Sequence, residues 1–141
     1  MDVSFGEYTF SDNKSLLSID RVCELLETTY WANNRKRETT IKAIENSLCI
    51  GIYLKGEMVG FARVVTDYTT MYWLCDVIID EKHRKQGLGK KLIDIVTSMK
   101  ELEGTFGILA TRDAHGLYTQ YGFKNVDENR YMRRERNTEG V

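Results

Sequence analysis

The stretch Arg84-Lys85-Gln86-Gly87-Leu88-Gly89 lies between an apolar run that ends at Ile79 and a segment of helical periodicity that begins near Leu88. This order predicts a strand, a turn that contains glycine, and the first turn of a helix. The first N–H groups of a helix have no partner inside it and lie at the positive end of its dipole, so they attract anions. Gly87 and Gly89 lack a Cβ atom, which lets a phosphate approach the main chain. The stretch therefore indicates a site for a phosphorylated ligand.

Two familiar phosphate-binding loops are excluded by the spacing of this turn. A nucleotide P-loop needs glycine at position 84 and Ser or Thr after Lys90, but the chain has Arg84 and Lys91. The dinucleotide fingerprint needs a third glycine at position 92, which is Leu92. Several cationic side chains around the turn add a longer-range attraction for a polyanion. They are Lys82, Arg84, Lys85, Lys90 and Lys91.

The length of 141 residues predicts a single domain that spans residues 1–141, with the tail at 136–141 expected to fray. The net charge of −1 gives no reason to expect nucleic acid or an anionic membrane as a partner. No apolar stretch approaches the ~20 residues of a transmembrane helix, and residues 1–10 do not resemble a signal peptide. We therefore expect a cytoplasmic protein.

The cysteines and histidines give no metal-binding pattern. Cys23, Cys49 and Cys75 have no paired spacing and are expected to be reduced, partly buried thiols. The two histidines, His83 and His115, are not supported by a Cys-x-x-Cys motif. The sequence therefore predicts no metal site.

Hydrophobic periodicity and turn residues predict the order of elements. Strands are predicted at 3–10, 48–54, 58–66, 71–79, 106–110, 123–126 and 131–134, and helices at 19–30, 39–47, 88–102 and 114–121. Ser18 is the predicted N-cap of the first helix, and Gly104 is the predicted C-cap of the third. Hairpins come first and a strand–helix–strand crossover follows. This order predicts a mixed α+β fold, with a mostly antiparallel sheet of about seven strands, one parallel pair and about four flanking helices.

Two motifs lie in matching elements of this order. The first is Val77-Ile78-Ile79-Asp80 followed by Arg84-x-x-Gly87-x-Gly89 and a helix, and the second is Ala114-x-x-Leu117-Tyr118-x-x-x-Gly122-Phe123. Together they resemble the GNAT superfamily of acyl-CoA-dependent N-acyltransferases, whose element order is similar to this one across nearly the whole chain. The chain departs from the pattern at Glu81, where many relatives carry proline. The stretch 110–118 resembles an uncharacterised branch of the superfamily, so the acceptor substrate cannot be inferred from better-known branches.

The resemblance implies an N-acetyltransferase that moves an acetyl group from acetyl-CoA to a primary amine of a small molecule or peptide, by direct attack in a ternary complex. The pantetheine arm would pair with the backbone at Val77 and Ile79, in a gap between the strands at 71–79 and 106–110. The pyrophosphate would lie on the main-chain N–H groups of Arg84, Lys85, Gln86, Gly87, Leu88, Gly89 and Lys90. The protein is expected to be a monomer or a homodimer. A CoA-binding sensor of the same fold without turnover is the alternative.

The resemblance also suggests catalytic roles. Tyr118 matches the family's general acid, because a phenol with an ordinary pKa near ~10 stays protonated at neutral pH and can donate to the departing thiolate. The alternative is a tyrosine whose ring only packs in the core. Asp76 is the first candidate for the base, since a carboxylate among apolar neighbours is expected to have an altered pKa. The alternative is a bulge aspartate bonded to the backbone or to Arg63. An N–H near Ile79 is the implied oxyanion donor.

Other residues stay open as candidates. Asp113 and His115 are second choices for the base, and proton loss through ordered water is a third route. The acceptor is expected near the first two helices and the strand hairpin. Tyr30, Trp31, Tyr72 and Trp73 could line an apolar pocket, and Arg35, Arg63 and Asp67 could select a charged substrate, although most of these are expected to be core or surface residues. Binding of nucleic acid through residues 82–91 is disfavoured by the overall charge.

Overall fold

Within the described residues, a six-stranded sheet has its strands in sequence order from one edge to the other. The computed structural model describes residues 1–126 and 128–136. The strands are β1 (Asp2–Phe5), β2 (Tyr8–Ser11), β3 (Leu48–Leu54), β4 (Glu57–Thr66), β5 (Met71–Ile79) and β6 (Phe106–Ile108). All neighbours are antiparallel except β5 and β6, which are parallel.

Four α-helices of the described chain cover the two faces of this sheet. They are α1 (Ile19–Glu27), α2 (Arg37–Glu45), α3 (Leu88–Ser98) and α4 (His115–Thr119). Ser18 caps α1 as predicted, because the N–H of Arg21 donates a hydrogen bond of 3.2 Å to the Ser18 Oγ. The apolar sides of α1 and α2 pack on one face of the sheet, and those of α3 and α4 pack on the other.

Each face of the sheet has its own apolar core. Leu92 and Val96 of α3 are fully buried in one cluster with Ile50 of β3. On the opposite face, Val22 of α1 is fully buried in a second cluster with Phe61 of β4. Burial of one such side chain stabilises a fold by about 1.5–3 kcal/mol. Both helical layers are therefore fixed to the sheet, and β5 lies between them.

The predicted fold class is confirmed, with a mixed α+β architecture, one parallel pair and four helices. The sheet has six strands rather than about seven. The predicted strand at 3–10 is a hairpin of two strands, because Gly6 adopts a φ of 61° in a two-residue turn. Residues 123–126 and 131–134 form no strand. Phe123 packs on the core beside α4, whereas Val126 and Tyr131 are more than half exposed.

Several predicted elements are shorter in the structure. The helix predicted at 88–102 ends at Ser98, because Met99 takes an extended backbone and a 3-10 turn, Lys100–Leu102, follows it. This turn still buries Leu102, which explains why the apolar periodicity continued. The strand predicted at 106–110 ends at Ile108, and the last helix spans His115–Thr119. Arg136 has no regular structure, and the rest of the tail predicted to fray lies outside the described residues.

Candidate active site

The glycine turn, defined here as residues 84–90, joins β5 to α3. Lys85 and Gly87 both have left-handed backbones, with φ of 65° and 78°. The N–H of Arg84 donates to the Glu81 carbonyl at 3.4 Å, so this group of the predicted set is already bonded. Within the described chain, none of the N–H groups of residues 85–90 donates a hydrogen bond, and the next to do so is that of Lys91, to the Gly87 carbonyl at 3.0 Å. Successive free N–H groups in such a turn form a concave anion site at a helix N-terminus. The turn can therefore hold a phosphate or pyrophosphate group.

The β1–β2 hairpin supports the glycine turn. A Cβ atom added at Gly87 would lie 3.6 Å from the ring of Phe5. The Tyr8 hydroxyl is hydrogen-bonded to His83 Nδ1 at 3.0 Å, and Arg84 Nε donates to the Ile79 carbonyl at 3.1 Å. No sequence pattern predicts the contacts of Phe5 and Tyr8, because these residues are about 80 positions away from the turn along the chain.

An open strand edge lies directly before the turn. The ladder between β5 and β6 contains only three residue pairs and ends at Trp73 and Ile108. The backbone of β5 beyond Trp73, which includes Val77 and Ile79, therefore has no strand on the β6 side among the described residues. Both side chains are half-buried and pack against the core on the α3 face. An extended ligand could pair with this edge as an added strand does.

Tyr118 lies on α4 and is buried, with 8% of its surface exposed. Its ring packs edge to face on Phe123 at a centroid distance of 5.8 Å. Burial raises the pKa of Tyr118 above its ordinary value, and the neighbouring Tyr30 adds to the rise. The Tyr118 hydroxyl makes no hydrogen bond with any described residue, and Tyr118 is one of the residues that line a cavity of about 960 Å³ beside β6. It is therefore a protonated phenol with a free donor.

Asp76 lies in a bulge of β5. The register between β4 and β5 shifts between Phe61 and Arg63, and Asp76 has a φ of 51°, which non-glycine residues rarely adopt. The bulge turns the carboxylate toward the face covered by α1 and α2, where only 2% of the side chain is exposed. A buried carboxylate requires partners to offset its desolvation.

The structure supplies those partners as four hydrogen bonds. Trp31 Nε1 donates to Asp76 Oδ1 at 3.0 Å. Arg35 donates from Nη1 and Nη2 to the two carboxylate oxygens at 2.7 and 3.2 Å, and Arg63 Nε donates to Oδ2 at 2.9 Å. Burial alone would raise the pKa of Asp76, but the bonds from Arg35 and Arg63 outweigh it and hold that pKa below its usual value. This geometry favours the bulge-aspartate interpretation over a general base.

The loop between α1 and α2 connects Tyr118 to the Asp76 cluster, which consists of Asp76 and its partners Trp31, Arg35 and Arg63. Tyr30 packs edge to face on Trp31 at 5.0 Å, and the guanidinium of Arg112 lies 3.8 Å from the centre of the Tyr30 ring. Tyr118 and the Asp76 cluster are thus linked through these two aromatic rings. The sequence did not single out Arg112, since its contact with Tyr30 joins residues 82 positions apart.

The remaining candidates are placed as follows. Asp113 is exposed and forms an ion pair with Arg112 at 3.8 Å, and His115 is an exposed residue at the start of α4. Asp67 accepts hydrogen bonds from the N–H groups of Thr69 and Thr70, so it closes the turn between β4 and β5. Tyr72 is buried in the core, whereas 37% of Trp73 is exposed.

The three cysteines are free, as the sequence predicts. Burial raises the pKa of both Cys49 and Cys75 to about 11. Among the described residues there is no group of three His, Cys, Asp or Glu side chains that could hold a metal ion. No helix in residues 1–126 and 128–136 has the length and apolar character that crossing a membrane requires.

Three comparisons relate the chain to known proteins. The sequence model of the family described as "Acetyltransferase (GNAT) domain" matches residues 20–136. A solved GNAT-family protein from Xanthomonas campestris pv. campestris has a TM-score of 0.89 and 37% identity, over 94% of this chain and 95% of that one. Protein FG08082 of Gibberella zeae is 27% identical over 64% of this chain, and the match spans 63% of that relative's length. A GNAT family acetyltransferase from Elizabethkingia anophelis, solved with acetyl-CoA bound, shares the fold with a TM-score of 0.65 at 16% identity, over 87% of this chain and 80% of that one.

Proposed function

Because this chain belongs to the GNAT acetyltransferase family, we propose that it transfers an acetyl group from acetyl-CoA to a primary amine of a small molecule or peptide. The observation that carries the proposal is the row of N–H groups at 85–90 that donate to no described residue, directly after a strand edge with no partner strand in the described part of the chain. An anion site and an open edge in this order match two adjoining parts of a CoA molecule, its pyrophosphate and its extended pantetheine chain with two amide groups. The bound structure of the Elizabethkingia relative supports the choice of acetyl-CoA as donor.

The backbone of the chain binds and orients the donor in this proposal. The N–H groups of residues 85–90 bind the pyrophosphate, and the lysines around the turn add long-range attraction. The β5 edge at Val77 and Ile79 pairs with the pantetheine amides. An N–H near Ile79 faces the thioester carbonyl and stabilises the negative charge that develops there.

Tyr118 acts as the general acid. Its hydroxyl has no partner among the described residues, and its raised pKa keeps it protonated at neutral pH. The amine first attacks the thioester carbon, which forms the carbon–nitrogen bond and the oxyanion. The hydroxyl then donates its proton to the sulfur as this intermediate collapses and the carbon–sulfur bond breaks. The acceptor amine must lose a proton as well. We assign this proton to solvent water, because the Asp76 carboxylate is held by two arginines and has a lowered pKa.

Release of free CoA thiol in the presence of an amine panel tests the proposal. With wild-type protein and acetyl-CoA, at least one amine is expected to release thiol at a rate that grows with protein concentration. Tyr118→Phe is expected to lower kcat by at least about 100-fold while the Kd of acetyl-CoA changes by less than about twofold. Tyr68→Phe is the matched control, since Tyr68 is half-exposed in the turn between β4 and β5.

Two results would contradict the proposal in different ways. Binding of acetyl-CoA without thiol release from any amine would favour a CoA-binding sensor of the same fold. An equal loss of turnover and of acetyl-CoA affinity in Tyr118→Phe would assign the hydroxyl to binding rather than to proton transfer.

A further inference from the structure

The Asp76 cluster does not balance its own charge. Two guanidinium groups, those of Arg35 and Arg63, share a single carboxylate, so the cluster retains one net positive charge. The thiols on either side of Arg63 cannot neutralise it, because the raised pKa of about 11 keeps Cys49 and Cys75 uncharged. Both arginine side chains are more than four-fifths buried, and an unpaired charge is costly at such a site.

The two arginines also have donors that remain unused. Arg63 donates from Nε to Asp76 and from Nη1 to the Ser47 hydroxyl at 3.1 Å, and its Nη2 donates to no described residue. Arg35 uses Nη1 and Nη2 for Asp76, which leaves Nε free among the described residues. A guanidinium group presents five N–H donors in a plane that suits carboxylate and phosphate oxygens. An anionic oxygen group would both accept hydrogen bonds from the free donors and neutralise the excess charge.

The Asp76 cluster is connected to Tyr118, the proposed general acid, through two aromatic side chains. Trp31 bonds to Asp76, Tyr30 packs on Trp31, and Tyr30 is close enough to Tyr118 to raise its pKa. The aromatic rings along this path are exposed by 43% for Trp31 and 49% for Tyr30, so they form an accessible wall. A molecule could therefore place an amine near Tyr118 and a second group near the arginines.

We propose that the acceptor is a primary amine that also carries a carboxylate or phosphate group, and that Arg35 and Arg63 bind this anionic group. The inference rests on the proposed acetyl transfer, because it names the substrate class of the same site. Asp76 then acts as a positioning residue, since it fixes both guanidinium groups. The aromatic wall favours an apolar or aromatic spacer between the amine and the anion.

Matched pairs of amines test the proposal. The first pair is 4-(aminomethyl)benzoate against benzylamine, and the second is 2-aminoethyl phosphate against ethanolamine, with spermidine as a cationic probe. In at least one pair, the wild-type protein is expected to favour the anionic member by at least about tenfold in kcat/KM. The two pairs distinguish a carboxylate from a phosphate. A preference for the neutral members or for spermidine would overturn the proposal.

Substitution of the arginines adds a second readout. The readout is the kcat/KM of the anionic amine divided by that of its neutral partner, in the pair that the wild-type protein prefers. Arg35→Gln and Arg63→Gln are each expected to reduce this ratio to below about threefold, and Arg35→Lys is expected to recover part of it. Arg37→Gln is the control, because Arg37 is an exposed residue of α2 that pairs with Asp20, and the ratio should not change. An unchanged ratio in both arginine variants would overturn the proposal. If Arg63→Gln fails to fold, the ratio measured for Arg35→Gln alone tests the proposal.

Tryptophan fluorescence separates this inference from the proposed function. The chain has only two tryptophans, Trp31 and Trp73, and Trp31 is bonded to Asp76. In the presence of CoA, 4-(aminomethyl)benzoate or 2-aminoethyl phosphate should change the fluorescence at lower concentration than its neutral partner. This result without thiol release would support the anion site and reject acetyl transfer. Thiol release with neutral amines and no preference for anions would reject the anion site alone.

Discussion

At the scale of single residues, Asp76 shows how a strained backbone is retained. A left-handed conformation costs an ordinary L-residue about 1–2 kcal/mol, although aspartate tolerates it better than most. The four hydrogen bonds to its carboxylate offset this strain, and they also explain the burial of a charged group in the sheet. The conformation therefore serves to hold the arginines in place.

Removal of the Asp76 charge is expected to destabilise the protein strongly. In Asp76→Asn the side chain keeps its shape and its tolerance of left-handed backbone, but Arg35 and Arg63 lose their counter-charge. We expect the free energy of unfolding at pH 7 to fall by about 3 kcal/mol. Urea denaturation measures this change. Asp20→Asn, at an exposed ion pair with Arg37, should cost less than about 1 kcal/mol.

The same variant gives a pH signature. The pKa of Asp76 is lowered in the folded state, so its carboxylate stabilises the fold above its unfolded pKa of about 4. This contribution is lost as the pH falls through the folded pKa. Wild-type protein should therefore lose more stability than Asp76→Asn below about pH 4. Equal acid dependence in both proteins would show that Asp76 is not held as a carboxylate.

At the scale of elements, a comparison of two turns can separate the effect of backbone strain from the effect on ligand binding. Gly87 and Gly56 have nearly equal φ values, 78° and 82°. A Cβ atom at Gly87 would make an ordinary contact with the Phe5 ring at 3.6 Å, and one at Gly56 would meet nothing within 4 Å, so neither would clash. Alanine at each position should therefore cost a similar stability, about 1–2 kcal/mol. Only Gly87→Ala should also raise the Kd of acetyl-CoA, by at least about tenfold, since the proposed pyrophosphate site is the row of N–H groups in the turn that contains Gly87.

Isothermal titration with acetyl-CoA and urea denaturation of both variants check this prediction. Unchanged acetyl-CoA affinity in Gly87→Ala would contradict the placement of the pyrophosphate. An equal loss of affinity in Gly56→Ala would trace the effect to general destabilisation instead.

The elements also show what a sequence can predict about this fold. The strands at 48–54 and 71–79 were predicted to the residue, because runs of apolar residues end there at glycine or polar turns. The β1–β2 hairpin was missed, because each strand has only four residues and the pattern was read as one strand. The predicted final strands failed because apolar periodicity does not guarantee a neighbouring strand to pair with.

In the site too, local features were predictable from sequence and long-range contacts were not. The glycine turn and Tyr118 are local motifs, so their elements were predicted from short stretches of sequence. The Asp76 cluster joins partners that lie 13, 41 and 45 positions away, and only the folded sheet brings them together. Sequence suggested Arg63 as one partner, but it gave no means to predict that Arg35 and Trp31 complete the set.

At the scale of the whole molecule, the sheet separates the two halves of the proposed site. In the proposed function, the glycine turn and the open edge of β5 bind the donor on the α3 face. The arginine cluster around Asp76 lies on the face covered by α1 and α2. The strands β5 and β6 no longer pair beyond Trp73, and this opening is where donor and acceptor would meet. Such an arrangement favours two ligands bound at the same time.

We therefore expect direct transfer in a ternary complex, without an acetylated protein. The two thiols near the arginine cluster, those of buried Cys49 and half-buried Cys75, have a pKa of about 11, so only roughly 0.1% of each is thiolate at pH 8. Neither is suited to attack a thioester. Initial rates measured at several fixed amine concentrations should give intersecting double-reciprocal lines, and mass spectrometry after incubation with acetyl-CoA alone should find no acetylated cysteine. Parallel lines together with an acetylated Cys75 would replace direct transfer with a two-step route through the thiol.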